Sequence, residues 1–248
     1  MDWTLIDWLG GFAAVLVGLS KGGIPAIGMI AVPLLSLSMP PVQAAVLLLP
    51  IYVVSDVVGV WLYRHDYSAA NLKILIPAGV AGVAIGWLTA AMVPETAVAF
   101  LVGSVGIGFC LNQWLRKENG QAPRPPNVLR GGFWGVVAGF TSFISHAGAP
   151  PFQVYMLPQK LQKTAYAGTA TIVFAVINAA KIWPYENLRP YSADSLWNAA
   201  ALVPFALVGT VLGAYLTRRI ADVWFYRLVQ ISLFAVSLKV MYDALFSH

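Results

Sequence analysis

Charged residues are scarce in this chain of 248 residues: Asp, Glu, Lys and Arg make up only 10% of it, while 59% is hydrophobic. A soluble domain carries about 25% charged residues. So few charges could not cover the surface of a soluble protein of this size. Most of the surface must therefore face lipid, and we expect an integral membrane protein.

Other absences exclude further classes of protein. Cys110 is the one cysteine, which excludes an intrachain disulfide and a multi-cysteine metal site. The phosphate-binding pattern G-x-x-x-x-G-K-[ST] does not occur, so nucleotide hydrolysis within this chain cannot supply energy. The formal charge is +5, but the basic residues lie in short segments between apolar runs, which is typical of membrane topology and not of nucleic-acid binding. We expect no cofactor and no metal.

Apolar runs of about 20 residues, long enough to cross a hydrocarbon core of about 30 Å, recur along the chain. They predict an all-α protein with transmembrane helices at 42–63, 74–92, 97–114, 165–183, 196–216 and 223–245.

The sequence also repeats itself at a spacing of 121 to 127 residues. Gly-Gly-Phe at 10–12 matches 131–133, Asp56 matches Asn178, and Pro, Gly and Gly at 77, 82 and 86 match 204, 209 and 213. We therefore divide the chain into a first repeat at 1–116, a polar linker at 117–130 and a second repeat at 131–248. Weak internal symmetry of this kind is common in secondary transporters.

Each repeat opens with an interrupted apolar segment, at 9–37 and at 131–157. Lys-Gly-Gly-Ile-Pro at 21–25 breaks the first segment, and Ser-His-Ala-Gly-Ala-Pro-Pro at 145–151 breaks the second. Arms of about 11 residues reach only about 16 Å, half a bilayer. Each segment is therefore either one crossing with an unwound middle or a re-entrant hairpin.

The positive-inside rule favours hairpins. They place ten loop Lys/Arg on the cytoplasmic side and only Arg189 outside, whereas single crossings give seven against four. The ten are Arg64, Lys73, Arg116, Lys117, Arg124, Arg130, Lys160, Lys163, Arg218 and Arg219. A hairpin plus three spans is an odd number of crossings, so the repeats are inverted, with both termini outside and the linker cytoplasmic. The two breaks then face each other near the midplane, where transporters bind substrate.

The first break offers an anion site. The Lys21 ammonium and the free N–H groups of Gly22 and Gly23 could form an anion-binding nest. The alternative is a lysine that snorkels to an interface, but Lys21 lies about 12 residues into the apolar segment, which is deep for snorkelling.

The second break would complement it with Ser142, Ser145, His146 and the backbone of Gly148, and His146 could also carry a proton. The alternative is that small residues here only permit close helix packing. Adjacent Ser145 and His146 do not indicate a hydrolase, because no acid or oxyanion motif accompanies them. We do not expect an enzyme, and an intramembrane enzyme is the weakest alternative.

Asp56 lies deep in an apolar span, and an intramembrane carboxylate indicates function by default. With its repeat partner Asn178 it is our candidate for a coupling proton or sodium ion. The alternative is a structural partner for Lys21 or for a backbone donor. The Gly82/Gly86 and Gly209/Gly213 pairs predict close helix crossings.

The chain resembles the sulfite exporter TauE/SafE family. The resemblance rests on GLSKGGIP at 18–25, on Asp56 with Arg64, and on G-F-x-S-x-I-S-H-A-G-A-P-P at 139–151. It implies a multi-pass protein of the bacterial inner membrane that moves sulfite or an organosulfonate and is driven by an ion gradient. An anion channel without ion coupling is the alternative. The expected partners are the anion, the bilayer, a coupling ion and, as an open question, a second copy of the chain.

Overall fold

The computed structural model describes residues 5–39, 41–115, 122–188 and 190–246, and within these ranges the protein is helical without strands. Residues 117–121 of the predicted linker, Arg116, Arg189 and the outermost terminal residues lie outside the described residues. The helices are α1 (Leu5–Lys21), α2 (Ala31–Leu35), α3 (Pro41–Leu62), α4 (Ala69–Thr89), α5 (Glu95–Leu115), α6 (Val128–Ser145), α7 (Ala149–Met156), α8 (Lys163–Leu188), α9 (Ala193–Arg219) and α10 (Asp222–Phe246). Two 3-10 segments, Pro25–Ile30 and Leu157–Gln159, precede α2 and follow α7.

Seven of these helices are long and apolar enough to cross a membrane: α3, α4, α5, α6, α8, α9 and α10. Their outward faces carry large apolar side chains that a soluble protein would bury, such as Trp61, Val208 and Ile231. Exposed tryptophans are enriched where a membrane meets water, and this chain has Trp8, Trp61, Trp114, Trp183, Trp197 and Trp224 in exposed positions. The chain is therefore a multi-pass membrane protein.

The second broken segment folds back on itself. Gly148 lies so near α6 that a β-carbon there would be 2.7 Å from the Ala138 carbonyl oxygen. Seven residues later, the Tyr155 hydroxyl accepts a hydrogen bond of 3.2 Å from the Asn127 N–H, just before α6 begins. Helix α7 therefore runs antiparallel to α6, which is the geometry expected of a re-entrant hairpin.

The first broken segment also turns back. Gly28 lies against the Ser20 side chain, and Ala31 and Leu35 of α2 share one apolar cluster with Ala14 and Val17 of α1. The expected arm length was wrong, however. Helices α1 and α6 have 17 and 18 residues, about 26 Å each, because they begin before the predicted segments, at Leu5 and Val128, and continue to the breaks. Only the returning arms are short.

Glycines allow the two halves to pack closely. On α9, a β-carbon at Gly209 would lie 2.4 Å from the Val15 carbonyl oxygen of α1. On α4, a β-carbon at Gly82 would lie 2.1 Å from the Val136 carbonyl oxygen of α6. The predicted glycine crossings are confirmed, because such approaches require the absence of a side chain. Helix pairs α3–α8, α5–α10, α3–α9 and α4–α8 also make contact between the halves.

The packing is similar in the two halves: α1 of the first half packs on α9 of the second, and α6 of the second half packs on α4 of the first. The opposite orientation of the halves in the membrane stays a prediction, as do the boundaries of the two repeats.

Four loops with basic residues meet at one end of the helices. Arg218 lies 3.8 Å from the Asp66 carboxylate and donates to the Leu62 carbonyl at 2.7 Å. Lys163 donates to the Ile220 carbonyl, and the Arg124 N–H donates to the Pro158 carbonyl at 3.1 Å. The segments predicted to be cytoplasmic therefore share one end of the protein.

Candidate functional site

A buried ion pair lies where the first break meets α3. Lys21 ends α1, and a cation is favoured there because it faces the partial negative charge of the helix C-terminus. Its Nζ lies 2.9 Å from Asp56 Oδ1, and both side chains are about 95% buried. Asn178 of α8 donates to Asp56 Oδ2 at 2.7 Å. The structure thus brings Asp56 into contact with Asn178, with which the sequence paired it, and with Lys21, the partner named in the structural alternative.

A second buried lysine belongs to the same region. Lys181 lies one turn beyond Asn178 on α8 and is fully buried. Its ammonium donates to the Ser142 carbonyl at 3.1 Å and to Ser142 Oγ at 3.2 Å, and it lies 3.4 Å from His146 Nδ1. These acceptors are neutral, and within the described part of the chain no carboxylate forms an ion pair with Lys181.

His146 is held between two tyrosines. It takes a left-handed conformation (φ 53°) that ends α6. Its Nε2 lies 3.1 Å from the Tyr185 hydroxyl, which donates to the Phe143 carbonyl at 3.0 Å. We assign a neutral ring, with Nδ1 accepting from Lys181 and Nε2–H donating to Tyr185, because this arrangement satisfies every partner.

Tyr52 covers the other side of the imidazole. The two rings are stacked with centroids 5.8 Å apart, and the Tyr52 hydroxyl donates to the Gly28 carbonyl at 2.7 Å. Lys21 Nζ lies 5.0 Å from the centre of the Tyr52 ring, which is a cation–π distance. Tyr52 therefore links the first break to the second.

These groups enclose a small cavity of about 40 Å³. At about 10–15 Å³ per water position, it has room for about three waters or for a compact anion of a few heavy atoms. Both breaks, α3 and α8 contribute to its wall, which is formed by Ser20, Lys21, Pro25, Gly28, Met29, Tyr52, Ser142, His146, Gly148, Ala149, Ala170, Thr171, Phe174, Asn178 and Lys181.

The predicted site residues divide into two groups. Those on the cavity wall are Lys21, Ser142, His146, Gly148 and Asn178. Those away from the wall are Gly22, Gly23, Ser145 and Asp56. Asp56 lies behind Lys21, and Ser145 Oγ donates to the Thr141 carbonyl at 3.3 Å, so it points back along its own helix.

The expectation of free backbone donors at the first break was wrong. The Gly22 N–H donates to the Gly18 carbonyl at 2.9 Å, and the Gly23 N–H donates to the Ser20 carbonyl at 3.4 Å. Both amides complete the end of α1 instead of facing the cavity. Gly23 has φ 126°, which glycine adopts readily, and this conformation lets the chain turn into the 3-10 segment.

Prolines remove further donors from the half-helices. Pro25 begins the first 3-10 segment, and Pro150 and Pro151 fill two of the first three positions of α7. Proline has no N–H, so these helix starts offer fewer amides than the sequence analysis assumed. The cavity's donors are mainly side chains: Lys21, Lys181, Ser142 and Asn178.

Lys181 was not predicted from the sequence, although the rule that identified Lys21 and Asp56 applies to it. It is an ionisable residue inside an apolar run, and it lies three residues after Asn178, on the same face of a helix. The roles of Tyr52 and Tyr185 had no comparable signal, because aromatic residues are common throughout the spans.

The charges around the cavity do not cancel. With both lysines and Asp56 ionised, the groups around the cavity carry one positive charge in surroundings of low polarity. An unpaired buried cation is costly and is stabilised by an anion. In this ionisation state the wall favours an anion.

Comparison with known proteins gives one match. A family described as sulfite exporter TauE/SafE matches residues 10–240, nearly the whole chain. No curated protein and no solved structure matches it.

Proposed function

The chain belongs to the sulfite exporter TauE/SafE family, and from this premise we propose that it is a secondary transporter that carries sulfite or a small organosulfonate across the bacterial inner membrane. The family supports membrane transport of a sulfur-containing anion. The cavity supports the same class of substrate, because its size suits a compact oxyanion.

The observation that carries the proposal is the second lysine. Lys21 alone would be neutralised by Asp56, and the site would have no reason to attract an anion. Lys181 adds a cation whose partners Ser142 and His146 are neutral. An oxyanion in the cavity would take the place of one of the three neutral acceptors of this ammonium, and charge-assisted bonds of this kind are strong.

Ion coupling would involve Asp56. An anion that approaches Lys21 competes with the Asp56 carboxylate for the same ammonium, which lies 2.9 Å from Asp56 Oδ1. A proton or sodium ion on Asp56 would release Lys21 for the substrate, so the ion and the anion would promote each other's binding. Asn178 would hold the carboxyl group in place in both states.

Alternating access would involve the two broken segments. Segments from the two halves meet at one cavity, which in other secondary transporters is the place where substrate binds while one repeat moves against the other. The returning arms, the segment 25–35 and α7, are short and are the natural moving parts.

Flux measurements in proteoliposomes test the proposal. With the membrane potential clamped at zero, an imposed proton or sodium gradient should concentrate labelled sulfite above equilibrium. The Asp56→Asn variant should equilibrate the anion or fail to move it, and a neighbour variant, Ser55→Ala, should behave as the wild type. Simple equilibration by the wild type under every gradient would indicate an anion channel. Absence of both flux and binding would refute transport of this class of anion.

A further inference from the structure

The charged groups around the cavity can be counted completely for the described residues. The cations are Lys21 from α1 and Lys181 from α8, and the one carboxylate in contact with either is Asp56 from α3. The other titratable groups on the wall, His146 and Tyr52, are neutral in the hydrogen-bonding pattern described above. The occupied cavity is therefore neutral overall when it holds one negative charge.

We propose that the cavity selects its substrate by charge: it takes a monoanion while Asp56 is ionised, and it takes a dianion only together with a proton on Asp56. This inference rests on the proposed function, adds a rule for which sulfur oxyanions are carried, and limits the coupling through a proton on Asp56 to dianions. Organosulfonates and bisulfite satisfy it as they are, whereas sulfite and sulfate need the proton.

The reason is the cost of a net charge in a buried site. The cavity lies among side chains that are almost wholly buried, such as Lys21, Asn178 and Lys181. A charge there interacts strongly with every other charge, because the surrounding medium screens it far less than water does. A dianion beside Lys21, Lys181 and an ionised Asp56 leaves one negative charge without a partner, and protonation of Asp56 removes that charge.

The contacts of Lys181, Ser142 and Lys21 define the role of each side chain in this rule. Lys181 contacts the anion in both cases, with the anion in place of one of its three neutral acceptors, since these leave its charge uncompensated. Ser142 Oγ accepts from Lys181, so its hydroxyl hydrogen is left for the anion. Lys21 contributes its full charge only when a proton on Asp56 weakens the pair.

The test uses two anions of similar size and fixed charge, methanesulfonate and sulfate. Binding to the purified full chain is measured by calorimetry between pH 6 and pH 8. At pH 8 the wild type should prefer methanesulfonate by roughly tenfold or more. With each unit of falling pH, sulfate affinity should rise about tenfold more than methanesulfonate affinity does, which is the slope of one additional linked proton.

Asp56→Asn removes the negative charge of Asp56 at every pH. It should shift the preference towards sulfate by roughly tenfold or more and remove the additional pH dependence that sulfate binding shows relative to methanesulfonate binding. Ser55→Ala, one residue away on α3 and also buried, should leave both properties unchanged. If Asp56→Asn does not fold, Lys181→Gln provides the second variant: methanesulfonate affinity should fall roughly tenfold or more, and the proton slope for sulfate should persist.

The outcomes separate this inference from the proposed function. Equal affinity for both anions at pH 8, or sulfate binding with no more pH dependence than methanesulfonate binding, would overturn the charge rule and leave the transport of sulfur anions standing. Binding of neither anion and no binding of sulfite would refute the proposed function itself.

Discussion

The two broken segments are built on the same plan but obtain their charge differently. The first break carries its own cation, Lys21, and Asp56 neutralises it. The second break carries no cation, and Lys181 of the neighbouring α8 donates to the Ser142 carbonyl near the end of α6. With all three groups ionised, the two breaks therefore give the cavity one neutral and one positive side.

The contacts that hold the two breaks in place also differ. The first break combines close backbone packing, with a β-carbon at Gly22 placed 2.5 Å from Gly213 of α9, and hydroxyl groups of Tyr63 and Thr217 that donate to the Gly22 carbonyl. At the second break, Lys181, His146 and Tyr185 form one hydrogen-bonded network of side chains. Removal of the buried cation should therefore cost more stability at the first break, where it leaves a carboxylate unpaired, than at the second.

The largest expected effect concerns topology. If the two segments enter from opposite faces as hairpins, Asp194 lies outside and Arg124 inside. In a variant without Cys110, a cysteine at 194 should react with an impermeant reagent from the periplasmic side, and a cysteine at 124 only after permeabilisation. Single crossings place both positions inside, so protection of both cysteines in intact cells would reject the hairpins.

The next largest effect concerns the two lysines. Lys21→Met leaves the buried Asp56 carboxylate without its cation and should lower the free energy of unfolding by about 3–5 kcal/mol. Lys181→Met leaves only neutral acceptors and should cost less, about 1–3 kcal/mol. Thermal and denaturant unfolding in detergent compare the two variants.

A double variant tests whether the unpaired Asp56 carboxylate causes the loss of stability in Lys21→Met. Lys21→Met with Asp56→Leu should regain most of the lost stability, because no buried charge remains unpaired. Lys239→Met, which breaks the exposed Lys239–Asp243 pair, should change stability by less than about 1 kcal/mol. An equal loss of stability in the Lys21 and Lys181 single variants would contradict the expectation that only Lys21 compensates a buried carboxylate.

A third prediction concerns the stability of the close helix crossings beside the two breaks. Gly18 and Gly139 are 121 residues apart, the spacing of the Gly-Gly-Phe match, and a β-carbon at either would lie 2.0 Å from a carbonyl oxygen, of Ala206 and of Gly79 respectively. Gly18→Ala and Gly139→Ala should each lower the free energy of unfolding by about 1–3 kcal/mol, the usual cost of overpacking.

Gly108→Ala is the matched control, since nothing lies within 4 Å of a β-carbon there. It should change stability by no more than about 1 kcal/mol, in the stabilising direction. Unfolding midpoints that do not distinguish Gly108→Ala from Gly18→Ala would mean that the crossing tolerates a methyl group.

The smallest effect is expected from one hydroxyl group. Ser142→Ala removes an acceptor of Lys181 and a donor to the anion but keeps the Ser142 carbonyl in place. Sulfite affinity should fall about threefold to tenfold, the value of one hydrogen bond, with little change in melting temperature. Ser145→Ala should leave affinity unchanged, because the Ser145 hydroxyl donates to the Thr141 carbonyl. An equal loss of sulfite affinity in both variants would mean that the effect of Ser142→Ala does not come from a contact between the Ser142 hydroxyl and the anion.

The sequence by itself determined the membrane class, the helical architecture and part of the site. Composition alone required a lipid-facing surface, and apolar runs of membrane length indicated the spans because a bilayer demands them. Lys21 and Asp56 were identified singly, because a charge inside an apolar run is rare without a function. The repeat matched Asp56 with Asn178, and these two side chains do meet, at 2.7 Å.

Only the tertiary structure decided which donors face the cavity. The amides of Gly22 and Gly23 were expected to be free, yet they bond within the end of α1, and Lys181 supplies the missing positive charge from α8. The physical reason is that a hydrogen-bonding group is directed by whichever partner lies nearest in space. Ser142 and Lys181 are 39 residues apart in the chain, and only the packing of α8 beside the break brings them into contact.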